Sequence, residues 1–215
     1  MSSPMVIDIW SDIVCPFCYL GMRQLTRALD EFEHRGDIVI RHRAFELDRH
    51  ARDSYDRPLA ELLATKYSMP VEKAQAVHRR MEADAAQLGM TWNLAGAQHS
   101  NTFDGHRLIA LAQAQGRGPE TVENLFDAYF CQAQRISTHE TLIAVAEKSG
   151  VDGAAAMLAS RDYEDEVRRD EDEALDLGIG GVPALLVDGK FMLSGAQGPD
   201  AMLAVLRRAW ARRTS

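Results

Sequence analysis

Hydrophobic and polar positions change their period along this chain, and each change marks an element. Val6-Ile7-Asp8-Ile9-Trp10 is rich in β-branched residues and reads as a short, mostly buried strand. Cys18, Met22, Leu25, Leu29 and Phe32 then recur at steps of four, three, four and three, one face of a helix, with Gly36 as its expected C-cap. Residues 37–45 place Ile38, Ile40 and His42 on one side and Val39, Arg41 and Arg43 on the other, which predicts a second strand. The opening of the chain is therefore a β–α–β unit with parallel strands and a right-handed crossover.

From about Pro58 helical periods take over. Pro70 starts a helix with Ala74, Val77, Met81, Ala85 and Leu88 inward, ended by Gly89. Asn101 caps the next, with Leu108 and Leu111 inward. Pro119 opens a third, whose apolar face runs Val122, Leu125, Phe126, Tyr129, Phe130, Ala133. Ser137 and Glu140 have capping-box spacing ahead of Leu142, Ile143 and Val145. Residues 162–177 predict a helix bearing nine carboxylates, read as a solvated face. The run Gly178-Ile179-Gly180-Gly181-Val182-Pro183 breaks it. Ala184 to Val187 and Phe191 to Leu193 flank an Asp188-Gly189 hairpin signal, and Pro199 starts a closing amphipathic helix.

Composition narrows the function classes. The 215 residues are 46% apolar and 26% charged, an ordinary globular balance that excludes disorder and collagen-like repeats. Lys and Arg number 24 against 32 Asp and Glu, a net charge of −8, which argues against nucleic acid and anionic lipid as partners. Asp8 and Asp12 interrupt the N-terminal apolar stretch, and no window reaches the roughly 18 uninterrupted apolar residues of a span, so a cytoplasmic location is expected. Oligomeric state is not legible, since an apolar helical face serves a core or a dimer equally well.

The chemistry concentrates in Cys15-Pro16-Phe17-Cys18, between the first strand and the first helix. Cys15 falls at the helix start, where open backbone N–H groups and the helix dipole stabilise a thiolate. Pro16 suits the first turn because its missing N–H would go unpaired there. Cys18 lies one turn further along the apolar stripe, so the pair divides into an accessible attacking thiol and a sheltered resolving thiol. A metal site would need two more ligands, and no second ligand pair accompanies these cysteines, so no metal is expected. Cys131 reads as a packing residue, as do Asn101 and His106; Trp10 and Phe45 read as core, while Phe17 is expected to touch substrate.

The strand ending Trp10-Ser11-Asp12 followed by C-P-F-C-Y-L-G resembles the FrnE-like branch of the DsbA-like thioredoxin-fold oxidoreductases. Arg41-x-Arg43-x-Phe45-x-Leu47, Lys66-Tyr67, the 101–107 segment Asn-Thr-Phe-Asp-Gly-His-Arg and Gly180-Gly181-Val182-Pro183 extend the similarity over nearly the whole chain. The resemblance implies an α/β thioredoxin fold carrying an inserted helical domain: residues 1–56 with 161–215 thioredoxin-like, and 57–160 the insertion. It also implies a cis Val182–Pro183 bond facing Cys15, whose backbone pairs with an extended substrate. The activity implied is dithiol–disulfide oxidoreduction or isomerisation on a disulfide-containing protein or small molecule. It would run through a redox-active Cys15–Cys18 disulfide with no bound cofactor, and glutathione is a candidate co-substrate.

Pro16-Phe17 lacks the histidine that periplasmic relatives carry between their cysteines, and Asp12 would oppose thiolate formation if it faces the sulfur; a less oxidising couple is expected. The alternative is a glutathione-dependent transferase or isomerase of the kappa or hydroxychromene-carboxylate isomerase type. Those carry serine where Cys15 stands, and here both thiols are present.

Overall fold

The structure is a computed structural model that describes residues 3–213. In chain order its elements are β1 (Met5–Ser11), α1 (Pro16–Asp30), β2 (Ile38–Ala44), α2 (Leu59–Lys66), α3 (Val71–Gln87), α4 (Phe103–Ala114), α5 (Gly118–Phe126), α6 (His139–Ser149), α7 (Ala154–Leu158), α8 (Glu164–Asp176), β3 (Ala184–Val187), β4 (Phe191–Ser194) and α9 (Pro199–Ala211). They fall into two compact units: the described residues up to Leu47 together with those from Glu164 onward, and Asp48–Tyr163. The segment 48–56 thus groups with the helices. Among the described residues no helix is long and apolar enough to cross a membrane.

The first unit is built on one sheet of order β2-β1-β3-β4, with β1 and β2 parallel and the other pairs antiparallel. β1 is central and buried at six of its seven positions, which is why it reads as a nearly continuous apolar run. Its side chains alternate between two cores. Met5, Ile7 and Ile9 meet Leu25, Leu29 and Phe32 of the α1 region and Met202, Leu203 and Leu206 of α9. Trp10 faces the other way, with Ala174 of α8, Ile179, Ala184, Phe45 and Val182, and its indole N–H donates to the Asp170 carbonyl at 2.9 Å.

Two readings are corrected here. Gly36 does not cap α1, which ends at Asp30 with Glu31 as its cap; Gly36 lies inside a short 3-10 turn, Arg35–Asp37. The acidic helix is no simple solvated face. Asp170 and Glu171 are buried: Asp170 accepts from Arg43 at 2.8 Å and from the Ala44 N–H at 3.0 Å, and Glu171 accepts from the Glu46 N–H at 3.2 Å. Arg168 joins Glu46 and Glu171 at 2.6 and 2.7 Å, and Asp8 of β1 takes Arg41 and Arg43 at 2.7 and 2.9 Å. Two of these carboxylates hold the C-terminal end of β2 by accepting from the Ala44 and Glu46 N–H groups. Charge counting could not see this, because a helix carrying nine carboxylates gives no sign of which two turn inward.

The Asp188-Gly189 signal forms its hairpin, with φ of 53° and 65° at those two residues, the left-handed region an Asp-Gly pair supplies. On β2, His42 shares the face of Ile38 and Ile40 and is 2% exposed. Burial pushes its pKa down from 6.5 to about 4. Between those pH values the unfolded chain takes up a proton that the folded protein refuses, so stability falls as pH falls through that window, by about 3 kcal/mol at most. Urea unfolding at pH 4 to 7 should show a shallower pH slope in His42→Leu than in the wild type; parallel slopes would remove His42 from the account.

In the second unit α2 and α3 meet through Ala60, Ala64 and Ala74. Close contact through alanines buries a narrow stripe, so His78 and Ala85 are inward while Val77, expected inside, is exposed. The helix after Pro119 is not continuous. It passes into a π-helical turn, Asp127–Cys131, and ends there; Ala133, with φ 52°, lies beyond it, so the apolar face ends at Phe130 and not at the predicted Ala133. Tyr129 and Phe130 remain buried there, and Phe130 stacks on Trp92 at 4.7 Å. The expected capping box is replaced. Ser137 Oγ donates to the Asp53 carbonyl at 2.6 Å, and Thr138 caps α6 by accepting from Thr141 N–H at 3.4 Å. Asn101 sits one residue before the N-cap of α4 and accepts from Phe103 N–H at 2.9 Å.

Candidate active site

The site forms where β1 hands over to α1, within the first unit. The Cys15 N–H donates to the Asp12 carbonyl at 3.1 Å, closing the loop after β1. Cys15 is extended, φ −88° and ψ 114°, and is the N-cap of α1; Pro16 occupies the first turn. The Cys15 carbonyl accepts from Cys18 N–H at 3.0 Å. This cap uses a main-chain carbonyl, which leaves the sulfur to face the open amides of the first turn.

Both thiols are covered. Cys15 is 4% exposed and Cys18 0%, so the expectation of an accessible Cys15 is corrected. Hydrogen bonding and depth of burial separate the two sulfurs. Donation from the Cys18 thiol lowers the Cys15 pKa most; burial opposes it, the Cys18 and Phe17 N–H groups assist, and the Asp12 charge opposes. Cys18 is pushed well above the ordinary thiol range, first by burial, then by its interaction with Cys15. The arrangement favours a single thiolate, on Cys15, with Cys18 protonated behind it.

The loop before β3 reaches the Cys15 sulfur. The Cys15 thiol donates to the Val182 carbonyl at 3.6 Å, and the Val182–Pro183 bond is cis. Pro183 in turn lies against α1. A Cβ added at Gly21 would stand 3.2 Å from Pro183 Cγ, so glycine at that position permits the approach. Gly21 closes the C-P-F-C-Y-L-G segment, whose pattern assigns it no packing role. Its signal was a glycine inside a helix, where it costs about 1 kcal/mol against alanine and therefore calls for a packing reason.

The remaining candidates fall as follows. Phe17 is 49% exposed on the first turn of α1, between the two cysteines. Asp12 is 1% exposed, and its Oδ2 accepts from Leu47 N–H at 2.8 Å. Trp10 and Phe45 belong to the core cluster beside Val182. Cys131 lies in the π-helical turn of the other unit and is only half-buried. Among the described residues no group of three His, Cys, Asp or Glu side chains could hold a metal ion.

Residues 6–207 match the DSBA-like thioredoxin domain. The chain belongs to that family. Its fold is accordingly the DsbA-like thioredoxin fold, mixed α/β around a four-stranded sheet. A probable DsbA oxidoreductase from Streptomyces coelicolor is similar over 98% of this chain and 92% of its own, with 37% identity and a TM-score of 0.93. Two more distant structures share the fold. One is a 2-hydroxychromene-2-carboxylate isomerase (19% identity, 97% of this chain, 96% of that one, TM-score 0.68). The other is the cytosolic disulfide reductase DsbM of Pseudomonas aeruginosa (18% identity, 98% and 100%, TM-score 0.66). DsbA-like proteins are typically thiol–disulfide oxidoreductases.

Proposed function

We propose that this member of the DsbA-like family, read as FrnE-like from its motifs, is a dithiol–disulfide oxidoreductase of the reductase or isomerase type. Cys15 is the attacking thiolate and Cys18 the resolving thiol. The observation that supports this most is the placement of the Cys15 sulfur at the start of α1, backed by the Cys18 thiol and 3.6 Å from the Val182 carbonyl. The Cys15 thiolate attacks one sulfur of a substrate disulfide, forming a mixed disulfide and releasing the other sulfur as thiolate. Cys18 gives its proton to that departing thiolate or to water and attacks the Cys15 sulfur. The substrate leaves with both sulfurs reduced, and the protein keeps a Cys15–Cys18 disulfide.

Phe17, Val182 and Pro183 form the substrate contact, with the Val182 backbone pairing an extended segment. Substrates are disulfide-containing proteins or small molecules, and glutathione is the candidate co-substrate. No bound cofactor is needed, since the two thiols carry both electrons.

Trapping tests the assignment. Cys18→Ser incubated with oxidised insulin should accumulate a mixed disulfide that peptide mapping places on Cys15; a disulfide-linked product on Cys131, or none, overturns the reading. Gly21→Ala checks the Pro183 contact. The added methyl gains about 1 kcal/mol of helix propensity and loses a similar amount to overpacking. Thermal stability should therefore hold within a few degrees while insulin reduction falls several-fold.

A further inference from the structure

Asp12 is tied into the site from two directions. Its carbonyl accepts from Cys15 N–H at 3.1 Å, and its Oδ2 accepts from Leu47 N–H at 2.8 Å. Main chain and side chain are both held, so the carboxylate cannot swing out to water, and it is 1% exposed. Burying a carboxylate here costs free energy that a neutral acceptor for Leu47 N–H would avoid.

We propose that the Asp12 carboxylate is a positioning residue that holds the Cys15–Cys18 couple toward its disulfide form and so makes the protein a stronger electron donor. This rests on the disulfide-exchange reading above. Reduction of the disulfide takes two electrons and two protons, and where Cys15 ionises one proton is given back. A fixed negative charge beside the sulfurs disfavours that ionised dithiol state while leaving the uncharged disulfide unaffected. The charge of Asp12 opposes ionisation of both cysteines, and Cys18 and Asp12 are the titratable groups acting on Cys15.

Asp12→Asn tests the proposal, because an amide oxygen can still accept from Leu47 N–H while the charge is gone. Two quantities are read: the dithiol–disulfide equilibrium against reduced and oxidised glutathione, by thiol trapping, and the pH midpoint of Cys15 alkylation. The expected result is at least a threefold shift toward the dithiol, about 14 mV less negative in potential, with the midpoint moved to lower pH. A merely structural clamp moves neither, so a folded variant with wild-type values of both overturns the proposal. Should Asp12→Asn fail to fold by near-ultraviolet circular dichroism, Asp12→Ser is read by the same two measurements. The alkylation midpoint separates the two readings. A wild type that reduces no disulfide, with a midpoint that still drops in Asp12→Asn, ends the exchange reading and sustains the electrostatic role. Intact turnover with an unmoved midpoint does the reverse.

Discussion

Cys15→Ser leaves insulin reduction at the background rate whatever the thiol donor, while Cys18→Ala still forms adducts at Cys15 but turns over poorly with dithiol donors. A serine oxygen cannot enter a disulfide, so the first loss is complete. The second variant also loses the hydrogen bond that does most to lower the Cys15 pKa, and with it one source of thiolate at neutral pH. Iodoacetamide alkylation of Cys15 should accordingly show its midpoint below the ordinary thiol range in the wild type and at higher pH in Cys18→Ala. An unshifted midpoint would mean that the burial of Cys15, not its partner, controls its ionisation. If Cys18→Ala with glutathione matched the wild type, the protein would be a monothiol, glutathione-dependent enzyme instead.

Asp170→Ala is expected to give the largest loss of stability outside the site. It removes the acceptor for Arg43 at 2.8 Å and for the Ala44 N–H at 3.0 Å, in a place where the Asp170 side chain is 11% exposed. Arg43 keeps Asp8 at 2.9 Å, so the loss is one charge-assisted hydrogen bond and the partner of a buried N–H, together about 2–4 kcal/mol, or a fall in Tm of roughly 4–16 °C for a chain of this size. Glu173 provides the contrast. It lies 3.6 Å from the same guanidinium but its side chain is 46% exposed, so Glu173→Ala should cost about 0.5 kcal/mol or less. Equal losses in the two variants would show that Arg43 is held by the general acidity of α8 and not by Asp170.

Much of the sheet unit was legible because its signals are local. Val6 to Trp10, the stripe from Cys18 to Phe32 and the Asp188-Gly189 turn each declare an element through period or turn chemistry. The errors came where a side chain is used by something distant in sequence. The spacing of Ser137 to Glu140 predicts a cap, yet the Ser137 hydroxyl goes to Asp53 and Thr138 caps α6 instead. Val77, inward by helical period, is exposed and its neighbour His78 is buried, because α3 packs through alanines. Asp170 and Glu171 were indistinguishable from the other carboxylates of their helix until β2 was laid beside them.

The sequence alone determined that a C-P-F-C segment stands at the junction of a strand and a helix, since strand period, helix period and a proline suited to the first turn are all read within a few dozen residues. Only the tertiary structure decided the surroundings of its sulfurs. It brought Val182 across 167 positions of chain to Cys15, laid Pro183 on Gly21 and turned Asp12 inward toward Leu47. Those contacts depend on how helix and sheet pack, and packing joins residues whose separation along the chain carries no periodic trace.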